Sequence, residues 1–255
     1  MSAAPADGRA PREPGRPHAS TGFLAALPLF LAYEIGLSGT GGARRSSAER
    51  VLTLAFEPLG EHAHWARLVL LAAAALGAAW RMRVHGEGRR ELGREIGTGL
   101  VAGVALAPLL VLALTWLGTS APRAAAEPAR GLVAMLRLCG SAPWEEFLFR
   151  GACYGLLFLV VARGARFLGA PATLERYAGE LVALLGSALL FAAFHLDPVQ
   201  RWLDVPGESA LAGAFLWRVS AGLLLGALFR WRGLGAASWA HALFNLGIAL
   251  GVRPP

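Results

Sequence analysis

The sequence predicts an all-α membrane protein, a polytopic bundle of about six to eight transmembrane helices. Three observations lead there. The 255-residue chain is 55% hydrophobic and only 16% charged, less charge than a soluble domain of this length carries. Several apolar stretches reach the roughly 17–25 residues that a spanning helix needs. These runs are continuous rather than alternating, which speaks against a β-barrel.

The elements follow in order. Residues 1–20 are rich in Pro, Ala, Gly and Arg and read as a disordered tail. The apolar stretch begins only near Phe23, so no cleavable signal is expected. Residues 21–252 then form one integral membrane domain. A first span covers 22–38, with Glu34 inside it. A Gly/Ser/Arg loop occupies 39–50, and a short amphipathic piece at 51–60 leads to a span at 64–80. Arg81, Arg83, Arg89, Arg90 and Arg94 crowd the loop 81–95 before a third span at 97–117. Pro122 and Pro128 punctuate the next loop.

Residues 131–142 are apolar but short, as in a half-span or re-entrant segment. Pro143 suits the first turn of a new helix, where its missing N–H costs nothing, and that helix runs to about 162. A loop with Arg163, Arg166 and Arg176 precedes a span at 179–196, which Asp197-Pro198 stops. A span at 208–229, a turn at Arg230 and Arg232 and a last helix at 234–250 complete the chain.

The net charge is +7, carried entirely by arginine among the basic residues. These arginines set topology and meet anionic lipid. They form no stripe and accompany no binding motif, so a nucleic-acid partner is not expected. The loops 81–95, 163–176 and 230–232 fall on one side, which the positive-inside rule makes cytoplasmic; Arg44, Arg45 and Arg50 run against it. A multi-pass protein of a bacterial inner membrane is the expected location. Cys139 and Cys153 form no disulfide or metal-knuckle pattern and read as small buried hydrophobes.

Three polar motifs stand in apolar surroundings, where ionisable groups are costly and usually functional. The first is Glu145-Glu146-Phe-Leu-Phe-Arg150. Glu146 and Arg150 are four apart on one helix face and can pair. Glu145, five residues from Arg150, points elsewhere and is free for proton transfer. With Pro143 opening the helix, both acids would lie in its first turn, where the helix dipole favours them. The second motif ends a span. Phe191 and His195 share a face, so the ring can steer the imidazole. The third is His241 and Asn245, again four apart. Asn supplies two N–H donors and His one from either nitrogen. Donors converging on one point make an oxyanion site, worth on the order of 3 kcal/mol per donor.

Blander readings exist for each: a charge cluster at the lipid interface, an interface histidine, and interhelical hydrogen bonding. Glu plus two His could also hold zinc with an open position, but HExxH spacing is absent and Asn is an unusual ligand. Metal ranks second, and no cofactor is expected. Glu34 reads as structural rather than as support for the site, and Arg137 and Arg218 either snorkel to the interface or satisfy a partner such as Glu34. His62 and His64 read as loop residues, and Trp80, Trp202, Trp217, Trp231 and Trp239 mostly as interface anchors.

Taken together, Glu145-Glu146-x-x-x-Arg150, Phe191-x-x-x-His195 and His241-x-x-x-Asn245 resemble the CPBP family over residues 130–250. This family, also called ABI, includes CAAX prenyl endopeptidases and bacteriocin-processing or self-immunity membrane proteins. Gly222-Leu-Leu-Leu-Gly226 through Asn245 is also similar to it. The resemblance implies a glutamate-type intramembrane protease without a required metal. Glu145 would be the general base on water, assisted by His195. His241 and Asn245 would stabilise the oxyanion, and Glu146 and Arg150 would organise the site. The implied substrate is a membrane-associated protein or peptide, not necessarily prenylated. The rivals are a non-enzymatic immunity or scaffold protein and a transporter with a proton relay.

Overall fold

The computed structural model describes residues 18–38, 45–116, 131–203 and 212–249. The expected disordered tail falls almost wholly outside them, as do Pro122 and Pro128. Among the described residues there is no β-strand. Six helices are long and apolar enough to cross a membrane.

Helix α1 (Ala19–Ser38) rises through the bundle. The short α2 (Ser47–Thr53) and a 3₁₀ segment (Leu54–His62) follow, and α3 (Ala63–Val84) descends. Helix α4 (Arg89–Trp116) crosses again. Helix α5 (Leu132–Glu146) continues through a π-helical segment (Phe147–Cys153) into α6 (Tyr154–Phe167). Helices α7 (Ala172–Phe194) and α9 (Ala212–Arg232) are linked through the short α8 (Asp197–Trp202), and α10 (Leu234–Ala249) ends the described chain.

Lipid-facing and core-facing surfaces differ in residue size. Val101, Val104, Leu109 and Leu112 on α4 are 73, 72, 55 and 60% exposed. In water such a face would be a liability; in a bilayer it is solvated. Where helices approach most closely, as between α4 and α10, the inner faces carry small residues. Apolar burial gives little drive between helices in lipid, so close backbone approach and van der Waals packing take its place. Helix α10, about 24 Å long, is the central element and packs against α1, α4, α5 and α9. Its Ala236, Ala237 and Ala240 are fully buried. Gly99 and Gly103 of α4 lie directly against Ala236 and Ala240.

Helix α1 crosses α5 in close backbone contact. A Cβ on Gly140 would come within 2.5 Å of the Tyr33 backbone, and backbone cannot step aside as a side-chain tip can. Gly140→Ala is expected to cost about 1–3 kcal/mol through overpacking. This reads as a lower thermal unfolding midpoint of the detergent-solubilised protein; an unchanged midpoint would show that the two helices can part freely. At the other end Gly233, with φ +94°, makes the turn from α9 to α10, a left-handed backbone that only glycine adopts without strain.

Several expectations need correction. Residues 131–142 are not a separate half-span. They belong to one continuous helical path from Leu132 to Phe167, capped by Gly131. Pro143 lies inside α5 rather than at a helix start. Its missing N–H leaves a gap in the bonding ladder, and four residues later the chain widens into a π turn. The acids therefore gain no stabilisation from a helix amino terminus. The arginine-rich loops are also shorter than expected. Arg81 and Arg83 end α3, Arg89 opens α4, and Arg163 and Arg166 lie in α6.

Glu34 pairs with Arg67, at 2.6 Å, and not with Arg137 or Arg218. Arg67 also binds Glu49, so one buried arginine holds two acids from α1 and α2. His64 is no loop residue; its Nδ1 accepts from the same guanidinium at 3.1 Å. Among the tryptophans, Trp80, Trp202 and Trp231 are exposed, whereas Trp217 sits in the core with Leu106, Leu110 and Phe244. Trp239 donates its indole N–H to the Ala25 carbonyl at 2.8 Å.

Candidate active site

Four elements meet at Glu145: α5, the end of α7, α10 and the π segment. Glu146 is completely buried, as is Arg150 one turn on, and they are 3.2 Å apart. A second Arg150 nitrogen donates to the carbonyl of Gly222 on α9 at 3.1 Å. The guanidinium also lies 4.7 Å from the centre of the Phe191 ring, within cation–π reach. The π turn permits this arrangement. Such turns shift the helical phase and recur at functional sites, and here Phe149 turns inward together with Arg150 and meets Phe191 and Phe194 edge-on.

His241 is buried on α10. Its Nδ1 is 2.8 Å from Glu146 Oε1. The carboxylate can only accept, so Nδ1 carries the hydrogen and Nε2 is the exchangeable side. His195 caps α7. Its Nδ1 is 2.8 Å from the Phe191 carbonyl, which again can only accept, so Nε2 is again the free nitrogen. Both Nε2 atoms face the same oxygen. Glu145 Oε2 lies 3.8 Å from that of His195 and 3.7 Å from that of His241. These gaps exceed direct hydrogen-bond length, while Glu145 and His195 stay 14 and 25% exposed at the side chain. The three groups thus converge on one point, and two of them are partly exposed.

Phe191 packs edge-on against both imidazoles, with ring centres 4.9 Å from His195 and 5.8 Å from His241. The ring thus touches both histidines. Asn245 lies one turn beyond His241 on the same face of α10 and is half-buried. Its side chain makes no hydrogen bond with another described residue.

The structure therefore brings Glu145, Glu146, Arg150, Phe191, His195 and His241 together. One division of labour differs from the sequence reading. Glu146 serves His241 as well as Arg150, and the same oxygen, Oε1, takes both. Sequence reasoning missed Phe149 and the Gly222 carbonyl. An apolar residue in an apolar run carries no signal, and a backbone acceptor none at all. Both cysteines are free thiols. Among the described residues no group of three or more His, Cys, Asp or Glu side chains is arranged to hold a metal ion.

Residues 128–247 match the family model described as Rce1-like, type II CAAX prenyl endopeptidase Rce1-like. No curated protein and no solved structure matches the chain. The matched segment opens just ahead of α5 and closes two residues past Asn245, so it takes in every residue just described around Glu145. Residues 128–247, just under half of the chain, are thus similar to the CAAX-protease family of membrane endopeptidases.

Proposed function

We propose that this protein hydrolyses a peptide bond of a membrane-associated protein or peptide, near the substrate's terminus, with water activated by Glu145 and without a metal. A prenyl group on the substrate is not required by any residue of the site. Residues 21–252 act as one integral membrane domain, with the catalytic core at 130–250, in a bacterial inner membrane. The observation that carries this reading is the placement of Glu145 Oε2 between the two Nε2 atoms, with each ring locked through its Nδ1.

Water enters beside Glu145 and His195 and gives a proton to the Glu145 carboxylate as its oxygen attacks the scissile carbonyl carbon. The carbonyl oxygen becomes an oxyanion. With Nδ1–H already committed to Glu146, His241 donates from Nε2 only as the imidazolium. The buried Glu146 carboxylate supports that cation, as an acid behind a histidine does in hydrolytic triads. Asn245 supplies the second donor. When the tetrahedral intermediate collapses, the C–N bond breaks, and the proton held by Glu145 passes to the leaving amine, directly or through His195. Arg150 offsets the charge of Glu146 and ties it to α9.

Asn245→Ala is expected to lower kcat by about 10²-fold with little change in KM, since the oxyanion forms only as the bond is attacked. Steady-state kinetics in proteoliposomes measures this, and a change confined to KM would remove Asn245 from the oxyanion role. The function itself is tested by comparing membrane-protein termini in cells carrying wild-type protein or Glu145→Gln. Shortened termini present only with wild type support hydrolysis. Identical termini together with an unchanged cellular phenotype would point to a scaffold. Loss of cleavage on chelation would return zinc to the site.

A further inference from the structure

Gln200 belongs to none of the three motifs. It lies in α8, five residues past His195, and is only 5% exposed, although α8 sits at the end of the bundle. Both ends of its carboxamide are engaged. Nε2 donates to the carbonyl of Phe194, and Oε1 accepts from the Ser47 hydroxyl at 2.6 Å. Phe194 is the last residue of α7, directly before His195. Carbonyls of a last helical turn have no intrahelical donors, and Gln200 takes one of them. The His195 ring takes another, that of Phe191. The turn that carries the imidazole is thus gripped from both sides.

Ser47 connects this grip to the first half of the chain. It opens α2, whose position is fixed three ways. The Ser46 backbone N–H donates to the Tyr33 hydroxyl at 2.6 Å. Ser46 Oγ caps the helix by accepting from the Glu49 N–H at 3.2 Å. Glu49, fully buried, is bound by Arg67 of α3. A continuous chain of polar contacts therefore runs from Arg67 through Glu49, α2, Ser47 and Gln200 to the turn of His195.

We propose that Gln200 is a positioning residue for His195 and that α2, through Ser47, sets the geometry of that imidazole; this rests on the assignment of His195 to the catalytic group. The amino-terminal half of the chain, outside the matched family segment, is then part of the working site. A buried amide serving only helix capping would hold α8 in place without influencing the reactivity of the neighbouring ring.

The test uses the full chain in proteoliposomes. Carbethoxylation of His195 by diethylpyrocarbonate, followed by peptide mass spectrometry, reads the imidazole without any substrate, with the exposed His62 as internal control. Gln200→Met keeps the length of the side chain but has no N–H for the Phe194 carbonyl, and it cannot regain a donor as a buried, protonated Glu would. Both it and Gln200→Leu are expected to raise the His195 rate about threefold or more and, on an internally quenched farnesylated peptide ending in a CAAX sequence, to lower kcat about tenfold with KM within about twofold, as misplacement of a catalytic group does. Ser47→Ala leaves the Nε2 bond in place and is expected to change both readings in the same direction by less. If Gln200→Leu does not fold, Gln200→Met decides. A His195 rate and a kcat indistinguishable from wild type in Gln200→Met would overturn the proposal. Failure of the underlying reading shows differently: Glu145→Gln would cleave as well as wild type, while the His195 rates would still report on Gln200.

Discussion

Glu145→Gln is expected to remove peptide-bond hydrolysis, lowering kcat by about 10³-fold, within the range that a positioned general base contributes. The substitution keeps shape and volume but takes away the carboxylate that, among the described residues, faces both histidine Nε2 atoms. Glu146 cannot replace it. Its Oε1 is committed to Arg150 and His241, and the side chain is completely buried. The fold has no stake in Glu145 comparable to its stake in Glu146, so expression and unfolding midpoint are expected to stay at wild-type values. The measurement is single-turnover cleavage by purified protein in proteoliposomes, beside the comparison of membrane-protein termini. Cleavage within tenfold of wild type would remove Glu145 from the role of base and with it the mechanism.

Arg67→Met is expected to have the largest effect on stability. Arg67 is 3% exposed and stands between Glu34, at 2.6 Å, and Glu49. Removing it leaves the buried Glu34 without its cation and Glu49, among the described residues, with only the partly exposed Arg45, 4.0 Å away. Breaking a buried ion pair from one side costs about 3–5 kcal/mol, because the remaining charge is uncompensated. For a chain of this size that lowers the unfolding midpoint by about 10 °C. The triple variant Arg67→Met/Glu34→Gln/Glu49→Gln removes the stranded charges together and is expected to regain most of the loss, since apolar or neutral replacement of a whole buried cluster is often nearly neutral. A triple variant as unstable as the single one would mean that the three residues act by packing alone. The cluster joins α1, α2 and α3, and Tyr33 within it also meets Trp144 edge-on, with ring centres 6.3 Å apart. The residue next to Glu145 thus rests on the same support.

Much of the candidate site was legible because its internal spacings are helical. Glu146 and Arg150, Phe191 and His195, and His241 and Asn245 are each four apart, and a helix turns such residues to one side whatever surrounds it. Contacts between elements were not legible in this way. The bond from His241 to Glu146 joins residues 95 positions apart, and nothing in either local pattern selects it over a bond to Glu145. Pro143 misled for a related reason. Proline favours a helix start on average, yet a bundle packed on all sides tolerates it inside a helix by re-satisfying the freed groups. Gln200 carried no signal, because a single amide beyond a helix end is ordinary until its two partners are known.

The positions of the spanning helices follow from the chain itself. Apolar runs long enough to cross a bilayer must become helices there, because lipid offers the backbone no hydrogen bonds. The residue chemistry available for hydrolysis is equally local, being written in the three motifs. Which acid meets which imidazole, which arginine answers Glu34, and where the helix through Pro143 widens were decided by packing. Helix phase and crossing angle depend on small residues such as Gly140 and on the π turn at Phe147–Cys153, and these act only once α1, α5, α7 and α10 lie against one another.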